Sequence, residues 1–334
     1  MTEQGKIDRA GSRPASLFER ADVAFGLGAA RSPVVPPVPE LVRRAPAPQP
    51  PVQPQPAPEI AQVPPVIEVA PPPEEPFALE PAPGAPPPLA VAFGGPTVAI
   101  DREHLREGGL IVPEDPVTGL LEEFRIVKRE LLADARAGNS PLARRILVSS
   151  PHPGEGKTYC ATNLAIALAA ERDLEVLLVD ADVVRPSVTD RFGIAAEQGL
   201  MDALADPAIA PESLVIRTDI DGLFVLPAGT PSARDAEYLA SARTGEVLDR
   251  LTVGAPNRIL IFDTPPALAA SPAAELAAHV GQAVLVVRAD ETARASLEDA
   301  QQLLSACADI KLLLNAARFS PSGRRFGSYG GRGA

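Results

Sequence analysis

The sequence predicts an α/β fold over residues 98–317, a mostly parallel sheet with helices on both faces. Three observations predict it. Short, β-rich apolar runs alternate with helical ones throughout this part of the chain. Those runs are continuously apolar, as strands buried on both faces must be, and do not alternate as in a sheet with one wet face. Finally, 24 of the 39 prolines fall within the first 100 residues. Each lacks an N–H and fixes φ, so that stretch builds neither helix interiors nor central strands. The remaining residues suffice for one ordinary domain.

Residues 1–30 hold one short helical signal, Ser16-Leu17-Phe18-Glu19, a capping box ahead of Val23 and Phe25. It is too short to stand alone and reads as a docking peptide or a disordered segment. Residues 31–97 carry 23 prolines and read as a disordered, proline-rich linker. In polyproline II form such a spacer reaches on the order of 200 Å at about 3.1 Å per residue. Leu120, Phe124, Val127, Leu131 and Ala135 recur at spacings of three or four and give a helix with one apolar stripe. Six strand candidates follow: ILVSS at 146–150, EVLLVD at 175–180, LFVLPAG at 223–229, RILIFD at 258–263, QAVLVV at 282–287 and IKLLLN at 310–315. Residues 318–334, RFSPSGRRFGSYGGRGA, are rich in glycine and arginine and read as a flexible tail.

The net charge is −12, from 31 Lys+Arg against 43 Asp+Glu. Such a balance argues against nucleic acid as a partner, since phosphate neutralisation needs a basic face. Two cysteines, Cys160 and Cys307, make no disulfide framework, and the three histidines make no spaced metal cluster. No apolar run approaches the roughly 18 residues of a spanning helix, so the expected location is the cytoplasm.

In α/β sheets ligands gather at the C-terminal ends of the strands. There the first strand runs into Ser150-Pro151-His152-Pro153-Gly154-Glu155-Gly156-Lys157-Thr158, ahead of a helical run. Glycines let backbone N–H groups wrap a phosphate, Lys157 adds a point charge, and Thr158 offers a hydroxyl to Mg²⁺. The strict spacing puts glycine at 151, where this chain has proline. Asp180 and Asp182 close a second strand and Asp263 a third, so three carboxylates converge where a magnesium nucleotide would lie.

GEGKT, VLLVDADVVRP and ILIFDTPP, in that order, resemble the Walker A, A′ and B motifs of the bacterial tyrosine autokinases, the BY-kinases, which are P-loop NTPases. Glu122-Glu123-Phe124-Arg125-Ile126-Val127-Lys128 is similar to that family's E-x2-R-x2-R helix, which carries ring assembly. IDREHLREGGLIVPED, VLPAGTP and HVGQAVLVV add a likeness to the exosortase-associated exopolysaccharide type. The resemblance implies ATP and Mg²⁺ as cofactors, with the nucleotide against Pro153, Gly154, Glu155, Gly156, Lys157, Thr158 and Tyr159. Asn315 is then the adenine contact, though a plain strand-end turn explains it nearly as well. Thr158 and Asp182 would ligate the metal, with Asp263 acting through water. Lys157 would bind the β/γ-phosphates, and Asp180 would be the base for a tyrosine hydroxyl, although sequence leaves the roles of Asp180 and Asp182 interchangeable.

Two departures stand out. The family's third arginine is Lys128 here, while Arg129 lies nearer the face of Glu122 and Arg125 at 100° per residue. The tail carries one tyrosine, Tyr329, where family members carry several; Tyr159 and Tyr238 read as packing residues. The resemblance implies an autokinase that phosphorylates Tyr329 in a ring-like homo-oligomer and serves exopolysaccharide or capsule synthesis and export. A transmembrane polysaccharide co-polymerase would hold it at the inner membrane and activate it. The alternatives are a MinD/ParA-like ATPase switch, which His152 in place of that family's lysine weakens, and a kinase-like scaffold.

Overall fold

The computed structural model describes residues 89–317, apart from 96 and 139. The Ser16–Glu19 segment, the linker up to residue 88 and Tyr329 lie outside the described residues. Within them one sheet contains β1 (Thr97–Val98), β2 (Arg145–Ser149), β3 (Glu175–Asp180), β4 (Ile216–Thr218), β5 (Leu223–Leu226), β6 (Arg258–Asp263), β7 (Gln282–Arg288) and β8 (Ile310–Asn315). Their spatial order is β1-β4-β5-β3-β6-β2-β7-β8. Neighbours are parallel except β4 and β5, which pair antiparallel across a short turn. The six expected strands are all present. β1 and β4 were not anticipated, because two and three residues at a sheet edge are too short to show a pattern. The run at 223–229 ends early as a strand, at Leu226. The carbonyls of Pro227 and Ala228 turn instead to the N–H groups of Leu200 and Met201.

Nine helices flank the sheet among the described residues: α1 (Arg102–Glu107), α2 (Gly119–Ala137), α3 (Lys157–Ala169), α4 (Val188–Phe192), α5 (Leu200–Ala205), α6 (Asp235–Leu239), α7 (Ala242–Thr252), α8 (Pro272–Ala277) and α9 (Arg294–Leu303). Alternate strand residues face opposite layers. Ile146, Val148, Ile259 and Ile261 pack with α1 to α4, while Leu147, Leu260 and Phe262 pack with α5 to α9. Each such burial contributes about 1.5–3 kcal/mol. The expected stripe of α2 is buried from Phe124 to Ala135, with Leu120 at its edge. Helix α3 lies between the sheet and α2, and every residue from Cys160 to Ala169 is buried. That position explains its all-round apolar sequence. Cys307 is buried in the turn after α9.

Packing begins ahead of the expected boundary at residue 98. Phe93 is 6% exposed and lies edge-on to Phe224, with ring centroids 4.9 Å apart. The Arg258 guanidinium sits 4.0 Å from the Phe93 centroid and donates to the carbonyls of Val91 and Leu251 at 2.8 and 2.9 Å. Glu175 balances its charge at 2.7 Å. A buried guanidinium needs partners for all its donors, and the chain at Val91 supplies one. Phe93→Ala is expected to lower the unfolding free energy by about 3 kcal/mol, read by denaturant titration; a loss near zero would mean that residues 91–95 only decorate the fold.

Candidate active site

Strand β2 ends at Ser149 and α3 begins at Lys157, with the loop between them at the C-terminal edge of the sheet. Gly154 and Gly156 adopt φ of 85° and 98°, left-handed values that strain any side chain. At Gly156 a Cβ would also stand 2.1 Å from Asn315 Nδ2. No side chain caps α3, so its first N–H groups and the positive end of its dipole are open to an anion. Pro151 is accommodated where the strict pattern has glycine. Its carbonyl accepts from Leu268 N–H at 3.3 Å and that of Ser150 from Ala267 N–H at 2.8 Å, which ties this end of the loop to the segment after β6.

The expected charges converge at the head of α3. Lys157 Nζ lies 2.7 Å from Asp182 Oδ2 and 3.9 Å from Asp263 Oδ1, and it donates to the Thr158 hydroxyl at 3.3 Å. The three aspartates differ sharply in their surroundings. Asp180 is fully buried, and its oxygens accept N–H bonds from Asp182, Ser187 and Val188 at 3.1, 2.9 and 3.0 Å. Burial pushes its pKa up to about 6 against those three donors. Asp182 accepts from Arg185 N–H as well as from Lys157. Asp263 is fully buried and neither of its oxygens has a hydrogen-bond partner. Desolvation pushes it up to about 7, the Lys157 ammonium and the nearby Thr158 hydroxyl opposing and the other two carboxylates assisting.

Pro153, Gly154, Lys157, Asp182, Arg185 and Pro265 help to line a cleft of about 420 Å³ beside these charges. Ser187, whose hydroxyl lies 3.3 Å from that of Thr158, belongs to the same site and was missed in the sequence. Its only signal there is a serine seven residues past Asp180, at a helix start.

Other expected residues are placed elsewhere. The Asn315 amide donates to the Glu155 carbonyl at 2.9 Å, and its Oδ1 accepts from Ala316 N–H, so both ends serve the chain itself. Tyr159 is half-buried and donates its hydroxyl to Gly109 at 3.0 Å, and Tyr238 packs against the core. Glu122 and Arg125 pair on the surface of α2. Lys128 does not join them: its ammonium turns inward to the Ala167 carbonyl and Glu171, each at 2.8 Å. One step round the helix, Arg129 is exposed and donates to the Arg125 carbonyl at 3.3 Å.

The family model described as an AAA domain matches residues 143–317. The chain is also 31% identical over 232 residues to the tyrosine-protein kinase YwqD of Bacillus subtilis, covering 69% of this chain and 94% of that protein. The chain belongs to the bacterial tyrosine-kinase family of P-loop NTPases. A second relative, the putative tyrosine-protein kinase EpsB of Ralstonia solanacearum, is 32% identical over 223 residues. That match covers 66% of this chain but only 28% of EpsB. The solved BceF tyrosine kinase domain superposes with a TM-score of 0.52 at 25% identity, over 66% of this chain and 93% of that domain. The loop at 150–158 lies within the stretch that the family model matches. Among the described residues no helix is long and apolar enough to cross a membrane, and no three His, Cys, Asp or Glu side chains group closely enough to hold a metal alone.

Proposed function

We propose that the chain is an ATP- and magnesium-dependent protein-tyrosine autokinase of an exopolysaccharide or capsule synthesis and export system. The observation that carries this reading is the Lys157 ammonium held between Asp182 and Asp263 at the head of the phosphate loop. The donor set suits a magnesium nucleotide, because Asp263 presents two buried oxygens that have Lys157 near them but no hydrogen bond of normal geometry. Thr158, Asp182 and, through water, Asp263 would hold the ion, which when bound neutralises charge on the phosphates.

The chain's own residues then have separate tasks. The loop N–H groups orient the phosphates, and Lys157 exchanges Asp182 for the β/γ-phosphates. Asp180 is the base for the tyrosine hydroxyl. Its value near 6 makes it a better proton acceptor near neutrality than an ordinary aspartate, and Oδ1, with one N–H donor, keeps a lone pair for the incoming proton. The acceptor is Tyr329, 14 residues past Asn315. Glu122, Arg125 and Arg129 form the assembly face of a ring-like homo-oligomer, with Arg129 in the place expected of Lys128. A transmembrane polysaccharide co-polymerase is the activating partner and holds the kinase at the cytoplasmic face of the membrane.

Incubation of the full chain with ATP and magnesium, followed by mass spectrometry, tests this reading. Phosphate is expected on Tyr329, and Tyr329→Phe is expected to lose most of the phosphotyrosine while still binding ATP. Hydrolysis with no phosphotyrosine would replace the kinase with a nucleotide switch of the MinD/ParA kind.

A further inference from the structure

Glu155 sets an electrostatic problem inside the phosphate loop. It lies between Gly154 and Gly156, two residues before Lys157, and brings a negative charge to a place that must receive phosphate. In the structure its side chain is tucked behind the loop, 5% exposed. Oε2 accepts His152 N–H at 2.7 Å, and Oε1 accepts the hydroxyl of Thr292, a residue 137 positions away. Thr292 lies between β7 and α9, and its oxygen accepts Arg288 N–H at 2.9 Å. With that lone pair taken, the single hydroxyl proton points to Glu155.

The turn that presents Thr292 is itself shaped for the purpose. Asp290 adopts a φ of 62°, a left-handed conformation that aspartate tolerates better than most residues. Arg288 also reaches the loop, donating to the Gly154 carbonyl at 3.4 Å. The end of β7 therefore grips the phosphate loop through both a side chain and a carbonyl. We propose that Thr292 is a positioning residue that keeps the Glu155 carboxylate out of the phosphate cradle, so that ATP affinity depends on a hydroxyl behind the loop.

The test is a double-mutant cycle on the full chain, with ATP dissociation constants measured by calorimetry in the presence of magnesium. Thr292→Val removes the hydroxyl and keeps the shape; ATP binding is expected to weaken roughly tenfold, as for a lost hydrogen bond to a charged group. Thr292→Ser is expected to restore binding. In a Glu155→Gln background the charge is gone, and Thr292→Val is expected to change affinity by less than about twofold. If Thr292→Val does not fold, Thr292→Ala completes the same cycle. An equal loss in both backgrounds would show that Thr292 acts through packing, and no loss in the single variant would show that the hydroxyl is idle; either overturns the proposal.

Discussion

Lys157→Met is expected to reduce phosphotransfer by at least about a hundredfold, in line with the loss of one preorganised charge donor at a reacting group, and to weaken ATP binding with it. Methionine approximates the length of the lysine stem and removes the ammonium, its charge and its N–H donors. Lys157 is also the cation nearest Asp182 and Asp263, so its loss has a second signature. The variant stays folded, but its melting temperature drops more steeply between pH 6 and pH 8 than that of the wild type, because the Asp263 carboxylate then ionises without a neighbouring ammonium. ATP affinity, phosphotyrosine and thermal melts at the two pH values are read together. Wild-type binding and transfer would show that the phosphates lie elsewhere.

Asp263→Asn is expected to stabilise the nucleotide-free protein at pH 8 while reducing magnesium-dependent transfer by two orders of magnitude or so. The sign follows from linkage. In the fold this carboxyl titrates near 7, in the unfolded chain near 3.9. Between those values the native state holds a proton that the unfolded chain has released, so stability declines as pH rises from about 4 to about 7 and stays low above that. Removing the group at pH 8 should recover on the order of 2–4 kcal/mol, or about 5–10 °C in melting temperature for a domain of this size. Asp180, raised to about 6, adds a smaller effect of the same sign. Melting curves from pH 5 to 8 decide the matter: if Asp263→Asn melts below the wild type at pH 8, the carboxylate has a partner that stabilises the fold.

The parts of this architecture that depend on local pattern were legible in the sequence. The six long strands are continuously apolar, the α2 stripe has helical spacing, and the phosphate loop lies between a strand and a helix. What escaped depends on distant partners. Asp180 and Asp263 both end apolar strands and look alike in sequence, yet one accepts three N–H bonds and the other none. Nothing near Lys128 shows that the last carbonyls of α3 lie within its reach, and nothing near Thr292 points to Glu155. Val91 and Phe93 sit in a proline-rich stretch that hides their packing. Helix geometry alone did favour Arg129 over Lys128 on the outer face of α2.

The Arg258 clamp gives β6 two specialised ends. Arg258 opens the strand and grips the chain at Val91, while Asp263 closes it beside Lys157. Five residue steps, about 17 Å at 3.3 Å each, separate the two. Traction on the polypeptide ahead of Val91 thus enters at the strand end remote from the phosphate loop, and must dislodge a buried guanidinium before it can disturb β6. Pulling on the chain at Val91 would thus load one end of β6 while the carboxylate acts at the other.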